Sequence, residues 1–156
     1  MKAVSGLLKK YDAGLQIKPH SNDFVELYKT HIDLHDNLNV KISTSDLDHA
    51  LAAVDLVICE DSSAIIDVML KGKLVIMAHF ADSEPTLPVK IFDVVPIARN
   101  EEELDNAVKE ILALDEDKLS SLQKKRDEFI EYCVGTITMD STSKTIEKIY
   151  QIMHSA

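Results

Sequence analysis

A chain of 156 residues, 46% apolar and 28% charged, has the length of one domain and enough apolar material for a substantial core. Its 27 acidic against 17 basic side chains leave a formal charge of −10, which counts against sequence-independent nucleic-acid binding and against electrostatic attachment to anionic membranes, since both need a cationic surface. No apolar stretch approaches the roughly 18 residues of a membrane span, and Met1–Lys10 lacks a signal peptide's apolar segment, so a cytoplasmic protein without membrane insertion is expected.

Lys2 to Tyr11 reads as a short amphipathic helix with Val4, Leu7, Leu8 and Tyr11 on one side. Asp12-Ala-Gly14 is a turn. Leu15-Gln-Ile-Lys18 is a strand stopped by Pro19, which puts His20 at a strand's carboxyl end. His20-Ser-Asn-Asp23 leads into a helix with Phe24, Leu27, Tyr28 and Ile32 at helical spacing. Leu38 to Ile42 is a second strand by alternation, and Ser45-Asp-Leu-Asp48 opens a helix from Leu47 to Val54.

The next unit organises the chain. Asp55 to Cys59 is a short apolar run that suits a strand buried on both faces of a parallel sheet. Glu60-Asp61-Ser62-Ser63 is small and polar, Ala64 to Lys71 carries apolar residues at helical spacing, Gly72 ends that helix, and Lys73 to Met77 is another buried strand. Ligands of open α/β sheets bind beyond the carboxyl ends of the strands, where a helix start offers free N–H groups and a positive dipole end. An anion site for a diphosphate is therefore expected at Ser62 and Ser63. The same two serines also suit a plain helix cap, with no ligand involved.

After Met77, the segment from Ala78 to Pro88 has two prolines and little periodicity and forms a candidate site loop, with His79 at its start. Ile91 to Ile97 alternates imperfectly around Pro96 and is expected to hold a short edge strand. Asn100 caps a helix with an acidic first turn and a packed face of Leu104, Val108, Ile111 and Leu112. Further helices run from Asp115 to about Val134 and from Thr142 to Met153, so the chain from about 115 to 156 is helical. The alternation gives an α/β fold, a parallel sheet flanked by helices in a single domain over 1–156.

Several residues have ordinary readings. Lys71 and Lys73 flank Gly72 at the helix's carboxyl end and stabilise it there. Cys59 and Cys133, with no CxxC and no paired spacing, are expected as free thiols. His31 and His35 stand four apart, a spacing that metal ligands use on a helix, but no third ligand accompanies them and no metal is expected. His49 and His154 read as surface residues. A strand-end histidine such as His20 suits proton donation to a phosphate oxygen near neutral pH, and equally suits satisfying a backbone carbonyl. No GxSxG, P-loop or GxGxxG sequence is present.

Lys18-Pro19-His20, combined with Asp61-Ser62-Ser63-Ala-Ile-Ile-Asp67 and Gly72 to Met77, resembles the C-terminal donor-nucleotide-binding domain of GT-B glycosyltransferases. The likeness points to the branch with CDP-glycerol glycerophosphotransferases and capsule polysaccharide transferases, with UDP-GlcNAc 2-epimerase as a structural cousin. It covers roughly Leu15 to Leu112. It implies a Rossmann-like sheet of order 3-2-1-4-5-6 in which this chain lacks the first strand, so that the sheet closes differently or is completed elsewhere. It further implies that Ser62 and Ser63 hold the diphosphate, Asp67 meets the ribose, Lys18 precedes His20 on one strand, His79 lines the crevice, and His20 assists the leaving phosphate. Ser21 stands where the family has a second proline, and Asp140-Ser-Thr-Ser143 resembles the stretch before the family's terminal helix without its glycine.

The resemblance implies a nucleotide-sugar or CDP-polyol donor as substrate with no other cofactor, and a GT-B-like glycosyltransferase or glycerophosphotransferase activity. That activity needs an acceptor-binding domain or partner subunit, so the chain alone is expected to be an inactive fragment or split subunit. A noncatalytic α/β binding or assembly module, half of a sugar-nucleotide 2-epimerase, and a homo-oligomer are left open.

Overall fold

A computed structural model describes residues 2–20, 22–33, 39–135 and 141–154, without the side chains of 2–5, 31–33, 141, 142 and 144. The elements are α1 (Lys2–Tyr11), β1 (Leu15–Ile17), α2 (Val25–Asp33), β2 (Val40–Ile42), α3 (Leu47–Ala52), β3 (Leu56–Cys59) and α4 (Ala64–Leu70), then β4 (Leu74–Ala78), α5 (Val89–Phe92), β5 (Ile97–Ala98), α6 (Glu101–Leu112), α7 (Glu116–Val134) and α8 (Ser141–Met153). Their starts follow from capping chemistry: the carboxylates of Asp46 and Asp115 and the amide oxygen of Asn100 accept the free N–H groups of His49, Lys118 and Glu103. Gly72, at φ +69, closes α4 in a conformation that a side chain would strain.

All strands among the described residues pair in parallel, as expected of strands joined by helices. They form two sheets rather than one: β1-β2 and β3-β4-β5. The implied single sheet is thus divided, and β1 and β3 each pair with only one strand among the described residues. A side chain spans the division instead, since Gln16 Nε2 donates to the Ala50 carbonyl of α3 at 3.1 Å. Burial follows this arrangement. Central β4 has Val75, Ile76 and Met77 fully buried, whereas all four residues of β3, with one edge open, are only half-buried.

The three-stranded sheet separates two cores. On one face Val75 and Met77 pack with Ile65, Val68 and Met69 of α4, Val89 of α5, and Phe129 and Ile130 of α7. On the other, Ile76 packs with Leu7 of α1 and with Leu104, Ala107, Val108 and Ile111 of α6. Alternation along β4 sends successive apolar side chains to opposite faces, so one continuous apolar run serves both cores.

The short edge strand is present as β5, but two details around it and in α6 differ from expectation. The stretch from Ile91 is helical at first: Pro88 stands at the N-cap of α5, Asp93 closes it in the left-handed region at φ 51, and the strand begins only after Pro96, whose carbonyl accepts the Met77 N–H. Leu112 is 63% exposed, because Ala107 with Leu104, Val108 and Ile111 completes the buried face of α6 without it. The helix expected at the end is present as α8, and its apolar residues Ile146, Ile149, Tyr150 and Met153 are 49–66% exposed. Ser21, His35, Leu38 and Asp140, and the side chain of His31, lie outside what is described.

Asp105 on α6 ties α1 to the sheet. Its carboxylate pairs with Lys10 of α1 and with Lys109 one turn along α6 at 2.6 Å, and these two ammonium groups hold its pKa at about 2. A carboxyl group depressed in the folded chain contributes stability above its ordinary value of 3.8, and that contribution is lost as pH falls through about 2. Carboxyl-carbon NMR is expected to place the Asp105 midpoint near that value and to move it upward as salt screens the exposed pairs. A midpoint at 3.8 at low salt would remove this link.

Candidate functional site

The carboxyl ends of β1, β3 and β4 carry most of the residues singled out in the sequence. Beyond β1, Pro19 is buried and Lys18 and His20 are exposed. Lys18 Nζ turns back to the Pro19 carbonyl at 3.2 Å. Asp23 organises the turn: one of its oxygens accepts the His20 backbone N–H at 3.0 Å and the Tyr28 hydroxyl at 2.8 Å. The Tyr28 hydroxyl and then the His20 N–H lower the Asp23 pKa, and the same carboxylate raises that of Tyr28. The Asn22 N–H donates to His20 Nδ1 at 3.2 Å. A ring whose Nδ1 accepts must, when neutral, carry its proton on Nε2. His20 therefore presents an N–H donor from its outer nitrogen.

Beyond β3, Ser62 Oγ accepts the Ala64 N–H at 3.3 Å and the Ser62 carbonyl accepts the Ile65 N–H. Ser63 occupies the N-cap position in a helical conformation and makes no side-chain cap bond. The local capping work thus falls to Ser62, and the Ser63 hydroxyl is exposed. Asp67 is exposed in the first turn of α4, a helix of seven residues. Asp61 is committed elsewhere. One of its oxygens takes the Thr86 N–H at 2.6 Å and the Thr86 hydroxyl at 2.7 Å, and the other takes the Leu87 N–H at 3.4 Å. Desolvation raises the Asp61 pKa, but these donors outweigh it and hold the group below the ordinary carboxylate value.

Beyond β4, His79 is 9% exposed, its N–H bonded to the Ala98 carbonyl of β5 and its Nε2 donating to the Ser83 carbonyl at 2.8 Å. Arg99, directly after β5, donates from Nη1 to the carbonyls of Ala81 and Ser83 at 3.1 and 3.0 Å. Residues 79–88 are therefore pinned from three strand ends, by Asp61, His79 and Arg99. Under this loop lies a cleft of about 370 Å³ lined by Glu60, Asp61, Ala78, His79, Phe80 and Ala81. It brings His79 together with Glu60 and Asp61. Lys18, His20, Ser62, Ser63 and Asp67 do not line it.

Reading the sequence missed Arg99 and the anchoring role of Asp61. An arginine immediately after the strand pair Ile97–Ala98 lies at the same carboxyl edge as His79, and that position was the available signal. Cys59, one residue before Glu60, is a free thiol whose burial pushes its pKa to about 11, which makes it a poor nucleophile at neutral pH. Among the described residues no three His, Cys, Asp or Glu side chains gather as a metal site.

Fold and edge together define an α/β protein with parallel strands flanked by helices and a loop cleft at the strands' carboxyl ends, an arrangement compatible with a Rossmann-like fold. No family model, curated protein or solved structure matches the chain. Among the described residues no helix is long and apolar enough to cross a membrane.

Proposed function

We propose that this chain is the donor-nucleotide-binding domain of a GT-B-like transferase that acts on a nucleotide-activated sugar or polyol phosphate. Ser62, Ser63 and the N–H groups that follow take the diphosphate, Asp67 the ribose hydroxyls, and His20 stabilises the leaving phosphate by a hydrogen bond from Nε2–H as the donor bond breaks. Lys18 and His79 flank the site from β1 and β4. The observation that carries the reading is the Asn22 N–H bond to His20 Nδ1, which leaves the neutral ring an Nε2–H able to hydrogen-bond an anionic phosphate oxygen. The Asp61 carboxylate, which would repel a diphosphate, has its oxygens turned to the loop by the bonds to Thr86 and Leu87. Turnover requires an acceptor-binding domain across the cleft.

Replacing both serines tests this. Hydrogen bonds to charged groups contribute about 1.5–3 kcal/mol each, so Ser62→Ala with Ser63→Ala should weaken CDP or UDP binding by about tenfold or more, while the chain stays folded with a thermal midpoint lowered by loss of the Ser62 cap, a cost of about 1 kcal/mol. Unchanged affinity in the double variant contradicts the assignment.

A second reading, a noncatalytic assembly module, draws on the exposed apolar residues Phe24, Leu27, Phe80 and Ile91 and the apolar stripe of α8. It predicts that the same double variant leaves partner binding intact.

A further inference from the structure

A second cleft, of about 560 Å³, lies at the opposite ends of the strands. Its walls come from Asp55, just before β3, from Gly72 and Lys73, just before β4, and from Ser120, Gln123 and Arg126 of α7. Those three α7 residues are spaced three apart and share one helix face.

Arg126 is 3% exposed. Its Nη1 donates to the Lys73 carbonyl at 3.2 Å, and its buried Nε has no hydrogen-bond partner among the described residues. No carboxylate among the described residues lies within ion-pair distance of it, in a chain with 27 acidic side chains. Burial alone acts on its ionisation and pushes its pKa down. A guanidinium cannot shed its proton at neutral pH, so a buried one without a counter-charge is costly unless a ligand supplies the anion.

We propose that this cleft binds a small organic monocarboxylate, with Arg126 holding its charge. The charge balance sets the class. Arg126 and Lys73 give two positive charges, and Lys73 Nζ spends one of its three donors on the Val54 carbonyl at 2.9 Å. Asp55 subtracts one charge, which favours a monoanion over a phosphate dianion. Leu74, Leu119 and Leu122 on the walls offer contact to a short apolar body. Nε is closed off from the cleft, so the carboxylate meets the guanidinium at its terminal nitrogens. This site is separate from the strand-end site and does not depend on its assignment.

The test is an NMR titration of the full chain with sodium butyrate, sodium acetate, inorganic phosphate and sodium chloride at matched ionic strength. Butyrate is expected to shift the Arg126 Nε–H peak and the amides of Gly72 and Leu74 saturably, more tightly than acetate or phosphate. Arg126→Met should abolish the amide shifts and leave the thermal midpoint equal to or above wild type, since it removes an uncompensated buried charge. Shifts that stay linear or equal those from chloride overturn the site, and tighter binding of phosphate overturns the carboxylate assignment. A lower midpoint for Arg126→Met, with amide shifts that persist, makes Arg126 a structural residue. The wild-type Nε–H titration decides the matter even if the variant does not fold.

Discussion

Phe129→Ala is expected to destabilise the chain by about 3–5 kcal/mol, the range for removing a large buried aromatic group. Phe129 is fully buried on α7 and meets Phe92 of α5 edge-on, with ring centroids 5.6 Å apart. It belongs to the core that also holds Ile65, Val68 and Met69 of α4, so its loss opens a cavity that three helices and the sheet cannot easily close. Urea unfolding should show a lower midpoint with an unchanged slope. Ile91→Ala is the control: that side chain is 81% exposed on α5, and its truncation should cost within about 0.5 kcal/mol. Equal effects of the two substitutions would mean that α7 does not pack on the sheet as described.

Asp61→Ala should cost about 2 kcal/mol, taken as the low part of the range for charge-assisted bonds because the carboxylate is partly exposed. The larger consequence is local. With Asp61 gone, the Thr86 and Leu87 N–H groups lose their acceptor, and residues 80–88 should exchange amide hydrogens faster while β4 stays protected. Because the folded-state pKa of Asp61 is lowered, its contribution is complete above the ordinary value of 3.8 and is lost as pH falls through the folded value. The wild-type loop should therefore loosen in acid, and the Asp61→Ala loop should show no such dependence. A loop whose exchange is unaffected by the substitution would show that His79 and Arg99 hold it alone.

The elements with clear local chemistry were legible in the sequence. The unit from Leu56 to Ala78 could be read because its strands are apolar runs, Gly72 ends its helix, and its polar turn falls between them. Asn100 and Asp115 marked helix starts because their side chains do the capping themselves. Pairing was harder to read. That β1 and β3 belong to different sheets depends on which backbones lie side by side, and alternation within a strand carries no information about that. The turn residues misled in a different way. Ser63 sits at the N-cap while Ser62 makes the bond, and two adjacent serines cannot be told apart by type. Arg99 and Asp61 escaped because their partners are mostly backbone groups of residues 81–87, and backbone groups have no signature in a sequence. The helix α8 was legible from its periodicity, which reports an amphipathic helix but not what covers its exposed apolar stripe.

The most direct measurement of a donor site is an NMR titration of the folded chain with CDP, UDP, CMP and UMP. The proposed function predicts saturable shifts centred on His20, Ser62, Ser63 and Asp67, tighter for a diphosphate than for its monophosphate, with the preferred base identifying the donor. Four flat titrations of a folded chain, or shifts confined to residues away from the carboxyl ends of β1 and β3, would contradict it.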